Sequence, residues 1–163
     1  MDVAIDFLET DFGYLKIQAD DHHLREVIFL DKPEPEASPN EITKLTLKQI
    51  TEYLEGQRKE FQLPLMAEGT AFQKKVWEEL CNIPFGTSIS YLELAHRLGD
   101  PKVIRAAASA NGKNPISIII PCHRVIGSDG SLVGYGGGLH RKKWLLKHEN
   151  HPIYRYKQLG IFD

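Results

Sequence analysis

The 163-residue sequence predicts an α+β fold in two parts. Residues 1–66 read as a small N-terminal α/β domain with an antiparallel sheet, and residues 67–163 as a C-terminal helix-turn-helix domain. Three observations predict this. Strand-like runs separated by polar turns fill the first thirty residues. Helix N-caps recur after them. Two short helical segments then meet at a Gly-containing turn near Gly99.

In the first part, "VAIDFLET" and "YLKIQAD" flank the turn-like "DFG", and "LREVIFLD" follows "DDHH". His22 and His23 sit among aspartates and read as a polar turn rather than a metal pair. "KPEPEASPN" is an acidic, proline-rich loop. In "SPNE", Ser38 is the expected helix cap, with Pro39 in the first turn and Glu41 closing a capping box. Ile42, Leu45, Ile50, Tyr53 and Leu54 give one apolar face, and Gly56 a stop. "EFQLPL" is expected to add one short strand. No reactive constellation appears before residue 66, so this part reads as support.

"MAEGT" reads as the linker. Thr70 and Gln73 form a capping box for a helix whose Phe72, Val76, Trp77, Leu80 and Cys81 share a face, which makes Cys81 a buried small hydrophobe. "NIPFGTS" breaks that helix. Ser90 and Glu93 form a further box, with Leu94, Ala95 and Leu98 inward. Asp100 and Pro101 then open "KVIRAAASAN". This helix-turn-helix pattern serves DNA-binding and other helical proteins alike. The second helix is unusually small along Ala106, Ala107, Ala108, Ser109, Ala110 and Gly112, which suits either a neighbouring helix or a close-approaching nucleic-acid backbone. Arg105, the lone long cation in that stretch, suits either a groove or plain solvent.

The chemistry concentrates in "NGKNPISIIIPCHRVIG". A turn at Asn114-Pro115 leads into a β-branched run expected to be a strand, whose pairing fails at Pro121 and leaves Cys122 at the strand end. In a regular strand Cys122 and His123 face opposite ways, so a bridging water or an irregular backbone would have to link them. A free thiol titrates near ~8.5, and His123 or Arg124 supplies a base or positive potential. A lone cysteine in an apolar run is otherwise an inert core residue. Downstream come a hairpin-like "SDGS", glycines 134, 136, 137 and 138, and a final helix made basic by Arg141, Lys142, Lys143 and Lys147. Glu149 can orient a histidine. The glycines do not form a dinucleotide-binding fingerprint.

The totals narrow the function class. No apolar run approaches the ~20 residues that span a bilayer, and the acidic start lacks a signal peptide's basic region, so a cytoplasmic protein without membrane contact is expected. Two distant cysteines make no disulfide framework, and no CxxC or HxxxH spacing suggests zinc. Residues 1–90 carry 17 acidic against 9 basic side chains, and residues 91–163 carry 5 against 11. The basic second part points to a polyanion, with nucleic acid the leading candidate.

"PCHRV", with "NP" upstream and "GYGGGL…K…LL…E" downstream, resembles the O6-alkylguanine-DNA alkyltransferases, the methylated-DNA–protein cysteine methyltransferases. The resemblance runs from "GTAFQKKVWEEL" through "IPFGTSISY" and "RAAASANGKNP" to Glu149, and residues 1–65 match only in general character. It implies an α/β N-terminal domain and a winged-helix-like C-terminal domain. It also implies single-use transfer of the alkyl group from O6-methylguanine, and from O4-methylthymine, to Cys122. By position, His123 is the base acting through a water, Glu149 orients it, and Asn114 braces the turn. Arg105 resembles the finger that enters the duplex from the minor groove as the damaged nucleotide flips out. Tyr91 helps extrude and bond the base, Tyr135 lines its pocket, and Lys142 lies by the leaving oxygen. Ala106, Ala107, Ser109, Gly112, Gly136 and Gly137 join them as DNA or substrate contacts. Gly136 stands where several relatives carry a serine or a bulkier residue. No metal or cofactor is implied. The expected partner is double-stranded DNA containing O6-alkylguanine, met by a monomer.

Two other classes compete. Alkyltransferase-like proteins bind lesions without transfer, but they lack the motif's cysteine, which Cys122 supplies here. A cysteine hydrolase built from Cys122, His123 and Glu149 would need an oxyanion hole that the sequence does not supply, and it leaves Arg105 and the basic second part unused.

Overall fold

A computed structural model describes residues 3–32, 34 and 36–151. Two compact units divide the chain: Met1–Glu68 together with Pro115–Ile119, and Gly69–Asn114 together with Ile120–Asp163.

The first unit opens with an antiparallel meander, β1 (Ala4–Thr10), β2 (Gly13–Ala19) and β3 (Leu24–Leu30), in that spatial order. Alternation sets its buried face: Leu15, Ile17 and Ala19 of the central strand are fully buried, as period-two side chains on one side of a sheet must be. At "DDHH" the Asp20 carboxylate accepts the backbone N–H groups of His22 (2.8 Å) and His23 (2.7 Å). The histidines thus belong to an Asx turn.

Helix α1 (Glu41–Leu54) is capped by Asn40, not by Ser38. Ser38 is committed to an antiparallel bridge, exchanging both backbone bonds with Ile5 at 2.9 and 2.7 Å, so its chain is still extended there. Asn40 Oδ1 accepts the Thr43 N–H and Thr43 Oγ1 accepts the Asn40 N–H, both at 2.9 Å. The buried face also differs from expectation. Thr43, Thr46, Gln49, Ile50 and Tyr53 face inward, and Leu45 is exposed. Gln49 occupies the core side because its amide brackets Gln62, donating to the carbonyl (3.1 Å) and accepting the N–H (2.9 Å). That clamp holds "EFQLPL" extended without making it a strand. Among the described residues the backbone of the segment pairs with β3 at Leu24, which donates to the Pro64 carbonyl and accepts from the Met66 N–H, and Pro64 has no N–H with which to continue a ladder.

The β-branched run after Pro115 is not a strand either. Ile116 makes a single parallel bridge to Val27 of β3, and the chain then turns. Ile118 sits at φ 73°, a region β-branched residues rarely enter, and the Ile119 N–H folds back onto the Ser117 carbonyl at 2.8 Å.

In the second unit, helix α2 (Ala71–Leu80) carries the expected Thr70–Gln73 box. Trp77 ties it to the second helix of the helix-turn-helix through an Nε1–H bond to the Ala110 carbonyl, 2.9 Å. Cys81 lies one residue beyond the helix, at its C-cap, and is exposed. Ending the helix at Leu80 takes Cys81 off the buried face. Next come β4 (Ile89–Ser90) and α3 (Tyr91–Arg97), with Ser90 Oγ accepting the Glu93 N–H. Asp100 caps a 3-10 turn, Pro101–Val103, which feeds α4 (Ile104–Gly112). β5 (Val125–Ile126) runs parallel to β4, and α5 (Leu139–His148) closes the described chain. Val76, Leu80, Ile83, Leu94, Ala95, Ala107, Ala110, Val125 and Leu145 form its core. Among the described residues no helix is long and apolar enough to cross a membrane.

Candidate active site around Cys122

Cys122 begins a 3-10 helix, Cys122–Arg124, rather than ending a strand. The turn before it is tight. Pro121 has φ −81° and ψ 62°, and the Cys122 N–H reaches back to the Ile120 carbonyl at 2.8 Å, the geometry of an inverse γ-turn. Two asparagines hold this bend. Asn114 Nδ2 donates to the Ile120 carbonyl at 2.7 Å and to Cys122 Sγ at 3.1 Å. Asn111 Nδ2 donates to the Cys122 carbonyl at 3.3 Å.

The thiol is 3 % exposed, and burial pushes it up to about 11, against the opposing pull of the Asn114 bond and the Lys142 charge. At rest Cys122 is therefore a neutral thiol that needs a base.

His123 is fully buried, with Nε2 2.7 Å from Glu149 Oε2. Burial lowers its pKa, and Arg124 and Lys142 lower it further, against the pull of Glu149. Burial would push the Glu149 carboxyl up, but His123 and Arg124 overcome this and hold it below the ordinary carboxylate range. The consistent protonation state is a neutral imidazole donating Nε2–H to an ionised Glu149, which leaves the Nδ1 lone pair as the basic atom. Nδ1 is buried and has no hydrogen-bond partner among the described residues.

Arg124 does not face the thiol. Its Nε and Nη2 fork onto Glu149 at 2.8 and 3.0 Å, and Nη1 donates to the Ile83 carbonyl at 2.7 Å. The role as thiol activator open to it from sequence is therefore replaced by an ion pair.

A second cluster converges on the Val133 carbonyl. Tyr91 Oη donates to it at 2.7 Å and Lys142 Nζ at 2.8 Å, with Lys142 also 3.4 Å from Tyr91 Oη. Lys142 is fully buried. Burial lowers it to about 8, and negative charge on Cys122 raises it. Tyr91 is pushed up to about 12, first by burial and then by Cys122, against the Asn111 amide.

The remaining predicted residues divide. Arg105, Ala106 and Ser109 are exposed along α4, and no described residue pairs with Arg105. Ala107 is fully buried and is not on that surface, because it turns towards the core side of the helix. Gly136 lies against Gly112: a Cβ on Gly136 would come within 2.8 Å of the Gly112 carbonyl oxygen. Gly137 accepts from Arg141 Nη1 at 3.2 Å, and Tyr135 is buried. Asn111 and the Ile83–Gly86 loop are participants that sequence reasoning missed. The visible signal for Asn111 was a polar residue four positions after Ala107 on the buried face of an alanine helix. Among the described residues no group of His, Cys, Asp or Glu side chains is placed to hold a metal ion.

Comparison with known proteins finds similarity over nearly the whole chain. The family described as 6-O-methylguanine DNA methyltransferase, DNA binding domain, matches residues 71–151, and its ribonuclease-like domain matches residues 3–67. A methylated-DNA–protein-cysteine methyltransferase of Methanosarcina barkeri is 40% identical over 154 residues, covering 91% of this chain and 98% of the relative. The crystal structure of the Mycobacterium tuberculosis O6-methylguanine methyltransferase superposes with a TM-score of 0.81 at 37% identity, covering 91% of this chain and 93% of that one. A structure of the M. tuberculosis protein in complex with DNA gives 0.80 at 39% identity, covering 88% and 90%. With both halves matched and a relative covered almost end to end, the chain belongs to the methylated-DNA–protein-cysteine methyltransferase family.

Proposed function

We propose that this protein repairs O6-alkylguanine in double-stranded DNA by moving the alkyl group irreversibly to Cys122, acting as a cytoplasmic monomer without a cofactor. The observation that carries the reading is a buried thiol next in sequence to a buried histidine whose Nε2 lies 2.7 Å from Glu149 and whose Nδ1 has no hydrogen-bond partner among the described residues. His123 Nδ1 takes the thiol proton through a bridging water. The Lys142 charge and the Asn114 N–H favour the thiolate formed. The sulfur then attacks the alkyl carbon, a new C–S bond forms, the C–O6 bond breaks, and its electron pair leaves with guanine, which is protonated from the site. Lys142 and Tyr91, which bond the Val133 carbonyl before the base arrives, turn hydrogens to that oxygen and neutralise it. The product is a thioether with no labile carbonyl for water to attack, so each molecule works once.

A base edge inside a duplex is out of reach of a buried thiol, so the nucleotide must be rotated out, at a cost of a few kcal/mol. The exposed row Arg105, Ala106 and Ser109 supports minor-groove entry by α4, with Arg105 filling the gap. The same pocket is proposed to accept O4-methylthymine.

The test is incubation with an O6-methylguanine duplex followed by intact mass. The expected result is a gain of one methylene per molecule, absent in Cys122→Ser. Continued release of repaired DNA beyond one equivalent would overturn the single-use mechanism.

A further inference from the structure

The loop "IPFG" and the arginine of "PCHR" meet at one place. Arg124 lays its guanidinium fork on both Glu149 oxygens, donates its third nitrogen to the Ile83 carbonyl, and lies 5.8 Å from the centre of the Phe85 ring. The Gly86 N–H donates to Glu149 Oε1 at 3.3 Å, from a residue at φ 77° that favours glycine. Glu149 thus receives Arg124, Gly86 and His123 at once.

We propose that Arg124, cradled by the Ile83–Gly86 loop, is a positioning residue for alkyl transfer: it pins Glu149 in the ionised, oriented form that fixes His123 as the neutral Nε2–H tautomer with Nδ1 as base. This rests on the proposed alkyl-transfer reading of the site. The argument is one of geometry and charge. A carboxylate held by a bidentate guanidinium is fixed in plane as well as in charge, and an imidazole bonded to it takes one ring orientation and one tautomer. The fork also shares Glu149's negative charge with Arg124. Without Arg124, the full carboxylate charge falls on His123 and favours imidazolium, which has no lone pair to accept the thiol proton. The charged or titratable groups around His123 are Lys142 from α5 and Glu149 at its C-cap, Arg124 and Cys122 from its own turn, with Cys81 beyond Arg124 at the end of α2.

The experiment measures single-turnover methyl transfer from an O6-methylguanine duplex between about pH 5 and about pH 9, for the wild type, Arg124→Lys and Arg124→Gln. Loss of the positive charge in Arg124→Gln raises the His123 pKa. Its acidic limb should therefore move to higher pH by about one unit, with a rate about tenfold lower on that limb. Arg124→Lys keeps the charge but not the fork. Its limb should stay near that of the wild type while the rate falls severalfold.

Should Arg124→Gln fail to fold, nitrogen-15 NMR of His123 in Arg124→Lys decides alone. A mixture of tautomers in place of the single Nε2–H form is expected, and a spectrum identical to the wild type overturns the proposal. Equal rate losses in both variants with unmoved limbs also overturn it, since that is the mark of packing alone. If the wild type transfers no methyl group, the alkyl-transfer reading has failed. The NMR result then still separates the tautomer role from it.

Discussion

Asn114 Nδ2 donates to Cys122 Sγ at 3.1 Å and, with the same amide, to the Ile120 carbonyl at 2.7 Å. One side chain therefore holds the bend that presents the thiol and supplies a donor to the sulfur. Asn114→Ala should raise the Cys122 pKa above its present value of about 11, because the bond to Asn114 opposes the effect of burial. It should also cost about 1–3 kcal/mol by leaving a buried carbonyl unsatisfied. Asn114→Asp should raise the thiol further, by placing a negative charge against it. Thiolate absorbance followed against pH reads the first effect and denaturant unfolding the second. A thiol pKa unchanged in both variants would refute the donor role.

Lys142 and Cys122 shift in opposite senses, and their effects on stability oppose each other. Cys122 rises from 9.0 unfolded to about 11 folded, so its contribution is full below pH 9.0 and is lost as pH rises to about 11. Lys142 falls from 10.5 to about 8, so its contribution is full above pH 10.5 and is lost as pH falls to about 8. Each is worth about 3 kcal/mol by linkage. Cys122→Ser should therefore gain stability between about pH 8 and 10.5, all the more because removing the thiolate lets Lys142 fall further. Lys142→Met should lose stability between pH 9.0 and about 11. Urea unfolding across that range decides, and parallel curves in the two variants would refute the opposition.

The places where sequence reading succeeded and failed share a cause. The meander and the Thr70–Gln73 box are local patterns, and local rules found them. Cys122, His123 and Glu149 were legible as residue types. The backbone that brings them together was not, because a β-branched run ordinarily argues for a strand, and Asn114 and Asn111, acting from outside the run, hold its end in a turn. Arg124 looked like a thiol activator because it is two residues from Cys122, whereas its partners Ile83 and Glu149 are distant in sequence. Leu45 left the expected apolar face while Gln49 is buried for the same reason: the clamp on Gln62 cannot be seen in a helical period.

The misread helix cap is itself testable. Asn40→Ala should cost about 1 kcal/mol, the usual worth of an N-cap, since it removes the Oδ1 that accepts the Thr43 N–H. Ser38→Ala should be nearly silent, because Ser38 bonds Ile5 through its backbone. Thermal unfolding of the two variants separates the alternatives, and equal losses would restore Ser38 as a cap.

Two glycines that face each other should respond differently to the same methyl group. A Cβ on Gly136 would lie 2.8 Å from a backbone oxygen of Gly112, so the loop must move. Gly136→Ala should destabilise by about 1–3 kcal/mol. A Cβ on Gly112 meets nothing closer than 3.7 Å, and Gly112 is a helical residue. Gly112→Ala should therefore be neutral or stabilising by about 0.4–1 kcal/mol. Denaturant midpoints test the pair, and a tolerated Gly136→Ala would mean that the loop yields freely.

Arg105→Ala tests the proposed DNA handling apart from folding. It is exposed on α4 with no described partner, so Arg105→Ala should change stability by no more than about 0.5 kcal/mol. If Arg105 fills the gap left by a flipped nucleotide, the variant should repair an O6-methylguanine duplex more slowly, on the order of tenfold. Its reaction with free O6-methylguanine, which needs no flipping, should be unchanged. Its DNA affinity should also lose about one unit of salt dependence if the guanidinium neutralises a phosphate, and none if it only occupies the stack. Equal loss on the free base and the duplex, with stability intact, would place Arg105 in the chemistry of the pocket and refute the intercalating role.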